Sequence, residues 1–193
     1  MLKISAVTPE RFSRAMPYAE YLASIAVNRD QFDHYYGMAH LSGDDAVFFR
    51  RAAAAGAAKM LVIAEAWCPD VYRGAPVFVR IAEAAGTALR IVTRDDNPDI
   101  MDEFLLNGTA RAIPVAVFYT DDLRYIVHFS ERPAVAHAYI AELRAEFKAR
   151  YPDGGDMAAV KAFFTPRLTP LYPEWQVETV REIRALLQSA LAL

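Results

Sequence analysis

Met60-Leu61-Val62-Ile63-Ala64 narrows the fold more than any other segment of this chain. An unbroken apolar run of this length is too short for a buried helix. It also lacks the alternation of a strand with one wet face, so it reads as a strand covered on both sides. Covering both faces of a sheet takes helices above and below it, which points to an α/β architecture. The longest greasy stretch around it, Ala52 to Ala66, is interrupted by Lys59 and Glu65. It falls short of the ~18 apolar residues of a spanning helix, so no membrane partner is expected.

The flanking patterns fill in the element order. Residues 9–56 read as helical: Tyr18, Tyr21, Leu22 and Ile25 form one stripe, and Phe32, Tyr35 and Tyr36 a second. Ser42-Gly43-Asp44 opens a further helix that Gly56 closes. After the Met60 run, a helix is expected from Cys68 to about Ala85, with Gly86 as its stop. Leu89–Val92 reads as a strand. Asn97-Pro98-Asp99 opens a short helix carrying Ile100, Met101, Phe104 and Leu105. Val115–Thr120 and Arg124–Ser130 read as two strands joined at Asp121-Asp122. Pro133 precedes a long helix with Val135, Tyr139, Ile140, Leu143 and Phe147 on its apolar side. A Pro- and Gly-containing segment, Pro152 to Pro173, leads to a last helix whose apolar face carries Val177, Val180, Ile183, Leu187 and Leu191. The middle is therefore β-α-β-α-β-β-α, which implies parallel strands joined by helices and then an antiparallel hairpin.

The chain has 193 residues, enough for one well-buried core and short for two. With 54% apolar and 23% charged residues it is globular in composition, and a net charge of -3 gives no general field for nucleic acid. MLKISAVTPERF lacks the apolar run of a secretory leader, and a single cysteine cannot form an intrachain disulfide. A cytoplasmic location is expected.

That cysteine lies where the buried strand gives way to a helix. The unpaired amides of a helix's first turn favour negative charge, so the sequence predicts a lowered thiol pKa for Cys68. Pro69 suits the first turn, where its missing N–H costs little. Trp67 is expected to shield one side of the sulfur. Ala64-Glu65-Ala66-Trp67-Cys68-Pro69-Asp70 resembles the active-site box of the thioredoxin superfamily. Pro76 falls where that family's active-site helix is commonly kinked, and Ile113-Pro114 before a strand resembles its cis-proline loop. More narrowly, the chain is similar to the single-cysteine group with a WCPD or WCGD box. The resemblance covers about residues 57–151. It implies a thioredoxin-like three-layer α/β/α sandwich with a mixed sheet, plus extra N-terminal helices and a C-terminal helix. It also implies one domain over 1–193: a helical extension (1–56), the core (57–151) and a C-terminal extension (152–193).

Two departures from that family bear on chemistry. Val71 stands where a dithiol enzyme has its second cysteine, and Val62 near the place of the family's buried acid. Glu65 is a candidate substitute for that acid. One-thiol chemistry remains: Cys68 would attack a disulfide, carry a mixed disulfide, and be released by a second thiol. The resemblance implies that Cys68 is the nucleophile, that Trp67 and Pro69 shape its pocket, and that the backbone of Ile113 beside Pro114 holds an extended substrate. Asp70 reads as a helix-dipole partner. Arg73 is a candidate for holding a thiolate or a carboxylate-bearing small thiol. The partners expected are protein or small-molecule thiols and disulfides. No metal or cofactor is expected beyond a low-molecular-weight thiol as co-substrate, because His34, His40, His128 and His137 are scattered. The acidic stretch Asp95, Asp96, Asp99, Asp102 and Glu103 matches no calcium loop. Two other readings stand beside this one: a peptide-binding module with a vestigial Cys68, and a peroxide-reacting thiol. The terminal helix either closes the core or pairs with a second copy of the chain.

Overall fold

The computed structural model describes residues 5–193; the first four, which open the segment read as lacking a secretory leader, lie outside the described residues. Four short helices come first: α1 (Pro9–Arg14), α2 (Tyr18–Ser24), α3 (Arg29–Met38) and α4 (Gly43–Ala54). The Ser42 hydroxyl caps α4 by accepting from the Asp45 amide at 3.1 Å, as its sequence signal predicts. Next come β1 (Lys59–Ala64), α5 (Pro69–Ala85), β2 (Ala88–Thr93), α6 (Pro98–Met101), β3 (Val115–Tyr119), β4 (Tyr125–Ser130) and α7 (Ala134–Arg150). The chain ends in α8 (Met157–Leu168), a 3-10 turn (Thr169–Leu171) and α9 (Tyr172–Leu191).

The strands form one mixed sheet in the order β2-β1-β3-β4. β1 runs parallel to β2 and antiparallel to β3, and β3–β4 is the antiparallel hairpin. Met60 to Ala64 and all of β3 are buried, as strands covered on both faces must be. Helices lie on both sides of the sheet, the thioredoxin-like α/β arrangement. Phe12, Tyr21, Phe32, Phe48 and Phe49 of the first four helices belong to the same buried cluster as Met60, Phe78, Val117 and Ile183.

Several boundaries differ from the sequence reading. Phe104 and Leu105 fall beyond α6, which ends at Met101. Val135 and Val177 point outward, 46% and 47% exposed, because one turn of each long helix lies at the rim of its apolar stripe. The Pro152–Pro173 segment is not a plain connection. Asp156 caps α8 by accepting from the Ala159 amide at 2.7 Å, and Phe163 packs with Leu143 and Phe147.

Burial sets one pH limit on this fold. Tyr18, Tyr21 and Tyr119 have buried hydroxyls with no hydrogen-bond partner among the described residues, and desolvation raises their pKa. Tyr172 is pushed up to about 12 for the same reason. Above the ordinary tyrosine pKa of ~10 the folded chain holds protons that the unfolded chain has lost, so stability falls as pH rises. Tyrosine absorbance at 295 nm and far-UV circular dichroism should therefore change together above that pH. Full tyrosine ionisation near pH 10 with the helices intact would contradict this.

Candidate functional site

Cys68 is the N-cap of α5, with extended backbone angles (φ -82, ψ 123) that turn the chain out of the β1 loop and into the helix. Its carbonyl accepts from the Val71 amide at 3.1 Å, and its amide donates to the Glu65 carbonyl at 3.1 Å. Pro69 occupies the first helical position, as predicted. Asn28, at the start of α3, donates its side-chain amide to the Ala66 carbonyl at 2.9 Å and so anchors the loop from outside. Its role was not read from the sequence, where the only signal is an asparagine ahead of a helix; its left-handed backbone (φ 60) suits that residue type.

Facing the thiol is the Ile113–Pro114 peptide, which is cis. Cys68 Sγ lies 3.8 Å from the Ile113 carbonyl oxygen, within reach of a thiol-to-carbonyl hydrogen bond. Pro114 is held from two sides. Its carbonyl accepts from the Glu131 amide at 2.7 Å, and a β-carbon added at Gly74 would meet its ring at 3.3 Å. The absence of a side chain at Gly74 thus lets α5 approach the cis-proline loop. The structure thus sets Cys68 against Ile113, next to the cis Pro114, with Pro69 following Cys68 in α5.

The other candidates have separate partners. Trp67 is 51% exposed, and its ring lies 4.9 Å from the Arg94 guanidinium carbon. Glu65 accepts from the Asp95 amide at 2.9 Å, which ties β1 to the turn after β2. Asp70 pairs with Arg132 Nη2 at 2.6 Å, and Arg132 also pairs with Glu131. Arg73 lies over Tyr172, its guanidinium carbon 4.1 Å from the ring centre. In the acidic stretch, Asp99 bonds Arg11, Asp102 bonds Arg111, and Glu103 accepts from Ser5. Among the described residues no three histidine, cysteine or acidic side chains gather as a metal site would need.

The thiol's electrostatics reverse the sequence expectation. The amides of Val71 and Asp70 favour the thiolate, as a helix start should. Burial outweighs them: Cys68 is only 9% exposed, and desolvation pushes its pKa up. The carboxylates of Asp70 and Glu131 add to the rise. The hydrogen bond to Ile113 acts the same way, because only the protonated sulfur can donate it. Replacing Asp70→Asn removes one of these charges, so the alkylation midpoint of Cys68 should move to lower pH. An unchanged midpoint would show that burial alone sets it.

The strand-to-helix thiol, the cis-proline loop beside it and the mixed sheet define a thioredoxin-type protein. The chain belongs to the thioredoxin family, which it matches over residues 15–145. No curated protein matches it. Among solved structures it is similar to a protein of unknown function from Pseudomonas aeruginosa, with a TM-score of 0.67 and 15% identity over 95% of this chain and 99% of that one. An HIV epitope-scaffold is similar to the same extent, with a TM-score of 0.65 and 15% identity over 95% and 99% of the two chains. At that identity the likeness establishes the fold alone. No described helix is long and apolar enough to cross a membrane.

Proposed function

We propose that the protein performs monothiol exchange at Cys68, forming a mixed disulfide with a target protein or a small thiol. The observation that carries this is the seating of Sγ 3.8 Å from the Ile113 carbonyl, beside the cis Ile113–Pro114 peptide and at the start of α5. In the first step the Cys68 thiolate attacks one sulfur of a disulfide. The Cys68–sulfur bond forms as the old S–S bond breaks, and the other half leaves as a thiolate. In the second step an external thiolate attacks the mixed disulfide, and Cys68 departs with the electron pair and takes up a proton. Trp67 and Pro69 flank the sulfur in sequence, and an extended substrate would run along the Ile113 backbone.

The raised thiol pKa gives this chemistry a definite character. A thiol of high pKa is sparsely ionised at neutral pH but a poor leaving group once oxidised. Formation of the mixed disulfide is then slow near neutrality, and release of Cys68 from it is slowed as well.

Alkylation of the native protein by iodoacetamide, followed from pH 4 to 10, is expected to have a midpoint above the free-cysteine value of about 8.5. Incubation with a small-molecule disulfide above that pH is expected to give one adduct per chain by mass spectrometry, and none in Cys68→Ser. Failure to form the adduct in the folded protein would sink the exchange reading. It would leave the second reading, a peptide-binding module, which the burial of the thiol favours. Oxidation by peroxide in the absence of disulfide would instead support the sulfenic acid route.

A further inference from the structure

The first turn of α5 borders a cleft of about 400 Å³ enclosed by α7, α8 and the start of α9. Ile140, Phe164, Leu168 and Trp175 give it an apolar floor, and Arg73, Arg132 and Arg144 give it three guanidinium groups. Of the three, Arg132 alone has an ion pair among the described residues, with Asp70 and Glu131. Arg144 reaches the cleft from the exposed side of α7. Arg73 is the more telling case. Its guanidinium lies over the rings of Tyr172 and Tyr72, and among the described residues it enters no ion pair and its buried Nε has no acceptor. A guanidinium whose face is taken up by aromatic rings and which enters no ion pair leaves its terminal N–H groups for an oxyanion. The volume suits a small organic molecule, larger than a bare ion needs.

The neighbouring groups point the same way. The side-chain amide nitrogen of Gln176 donates to the Tyr35 and Arg73 carbonyls, both at 3.2 Å, which ties the Arg73 backbone to α9. Asp70, the one carboxylate on the cleft wall, is occupied by Arg132 at 2.6 Å. Glu146, which lies on α7, pairs with Arg167 at 3.5 Å. Positive charge is thus left over at a half-buried, largely apolar cavity, although the chain as a whole is acidic.

We propose that this cleft is a second site, which binds a small monocarboxylate with an aliphatic or aromatic body. The carboxylate takes the terminal N–H groups of Arg73 and Arg144, and the body lies on Phe164, Leu168 and Trp175. The site does not use the Cys68 sulfur, so it stands or falls apart from the exchange reading. Isothermal titration of the full chain with octanoate and with 3-phenylpropionate tests it, with octanamide as the uncharged counterpart and inorganic phosphate as the charge without a body. Saturable one-to-one binding of at least one carboxylate is expected. The amide and phosphate should bind at least tenfold more weakly than that carboxylate, and Arg144→Gln should weaken its binding about tenfold, the size of one charge-assisted contact. Arg144 is exposed, so that variant should fold normally. Arg73→Gln should weaken binding likewise, and Cys68→Ser should bind as the unaltered chain does. No saturable binding of either carboxylate would overturn the proposal. So would equal binding of octanamide or phosphate, undiminished affinity in Arg144→Gln, or loss of binding in Cys68→Ser.

Discussion

Arg132→Met is expected to destabilise the chain by about 3–5 kcal/mol, as does removal of one partner from a buried ion pair. The side chains of Arg132, Asp70 and Glu131 are 11%, 25% and 18% exposed, so all three depend on one another more than on water. Methionine fills a similar volume but leaves two carboxylates facing each other. Among the described residues Glu131 keeps His137, whose Nε2 lies 3.7 Å away, and Asp70 loses its ion pair with Arg132. Urea unfolding followed by circular dichroism measures the loss. The double variant Arg132→Met with Asp70→Asn should recover part of it, because the orphaned charge is then gone. A loss below about 1 kcal/mol would mean that water reaches the triad and that it behaves as a surface pair. The same variant should raise the alkylation midpoint of Cys68 further, since both carboxylates already disfavour its thiolate.

Phe32→Ala is expected to cost about 3–5 kcal/mol, the range for emptying an aromatic core site. Phe32 of α3 is fully buried, edge-on to Tyr21 at 5.8 Å and to Tyr72 of α5 at 6.3 Å. It therefore links the N-terminal helices to the helix that carries Cys68. For a chain of this length the midpoint of thermal unfolding should fall by roughly 10 °C. Val135→Ala, at an outward position, serves as the control and should stay within about 0.5 kcal/mol. If Phe32→Ala lowered stability no more than this control, the N-terminal helices would be a dispensable layer and the contacts among Tyr21, Phe32 and Tyr72 incidental.

The sequence carried the sheet and its helices where local patterns and burial coincide. Met60 to Ala64 is apolar throughout because both faces are covered, and Ser42, Pro69 and Gly86 mark helix ends through chemistry that acts within a few residues. α8 was missed because Pro152, Gly154, Gly155, Pro166 and Pro170 together read as loop. Pro166 nonetheless lies near the end of the helix, and Asp156 was a readable cap. The cis-proline loop and its pairing with the box were legible through the resemblance. The state of the thiol was not. A helix start speaks for a lowered pKa, and what opposes it comes from groups far away in the chain. Glu131 and the Ile113 carbonyl meet Cys68 only after folding, and the ion pair that fixes Asp70 spans 62 positions. The unpaired Arg73 was legible as a candidate, whereas the cleft around it needed α8, the one helix the sequence concealed.

With a single cysteine, the chain's redox state has one bit and no internal path for resetting it. A dithiol protein resolves its own mixed disulfides at a rate independent of its surroundings. Under the proposed exchange, departure from a mixed disulfide would be first order in a thiol supplied from outside. The lifetime of the modified form is therefore inversely proportional to the concentration of that thiol. The fraction of chains carrying an adduct would read out the ratio of disulfide to thiol around the protein, averaged over that lifetime.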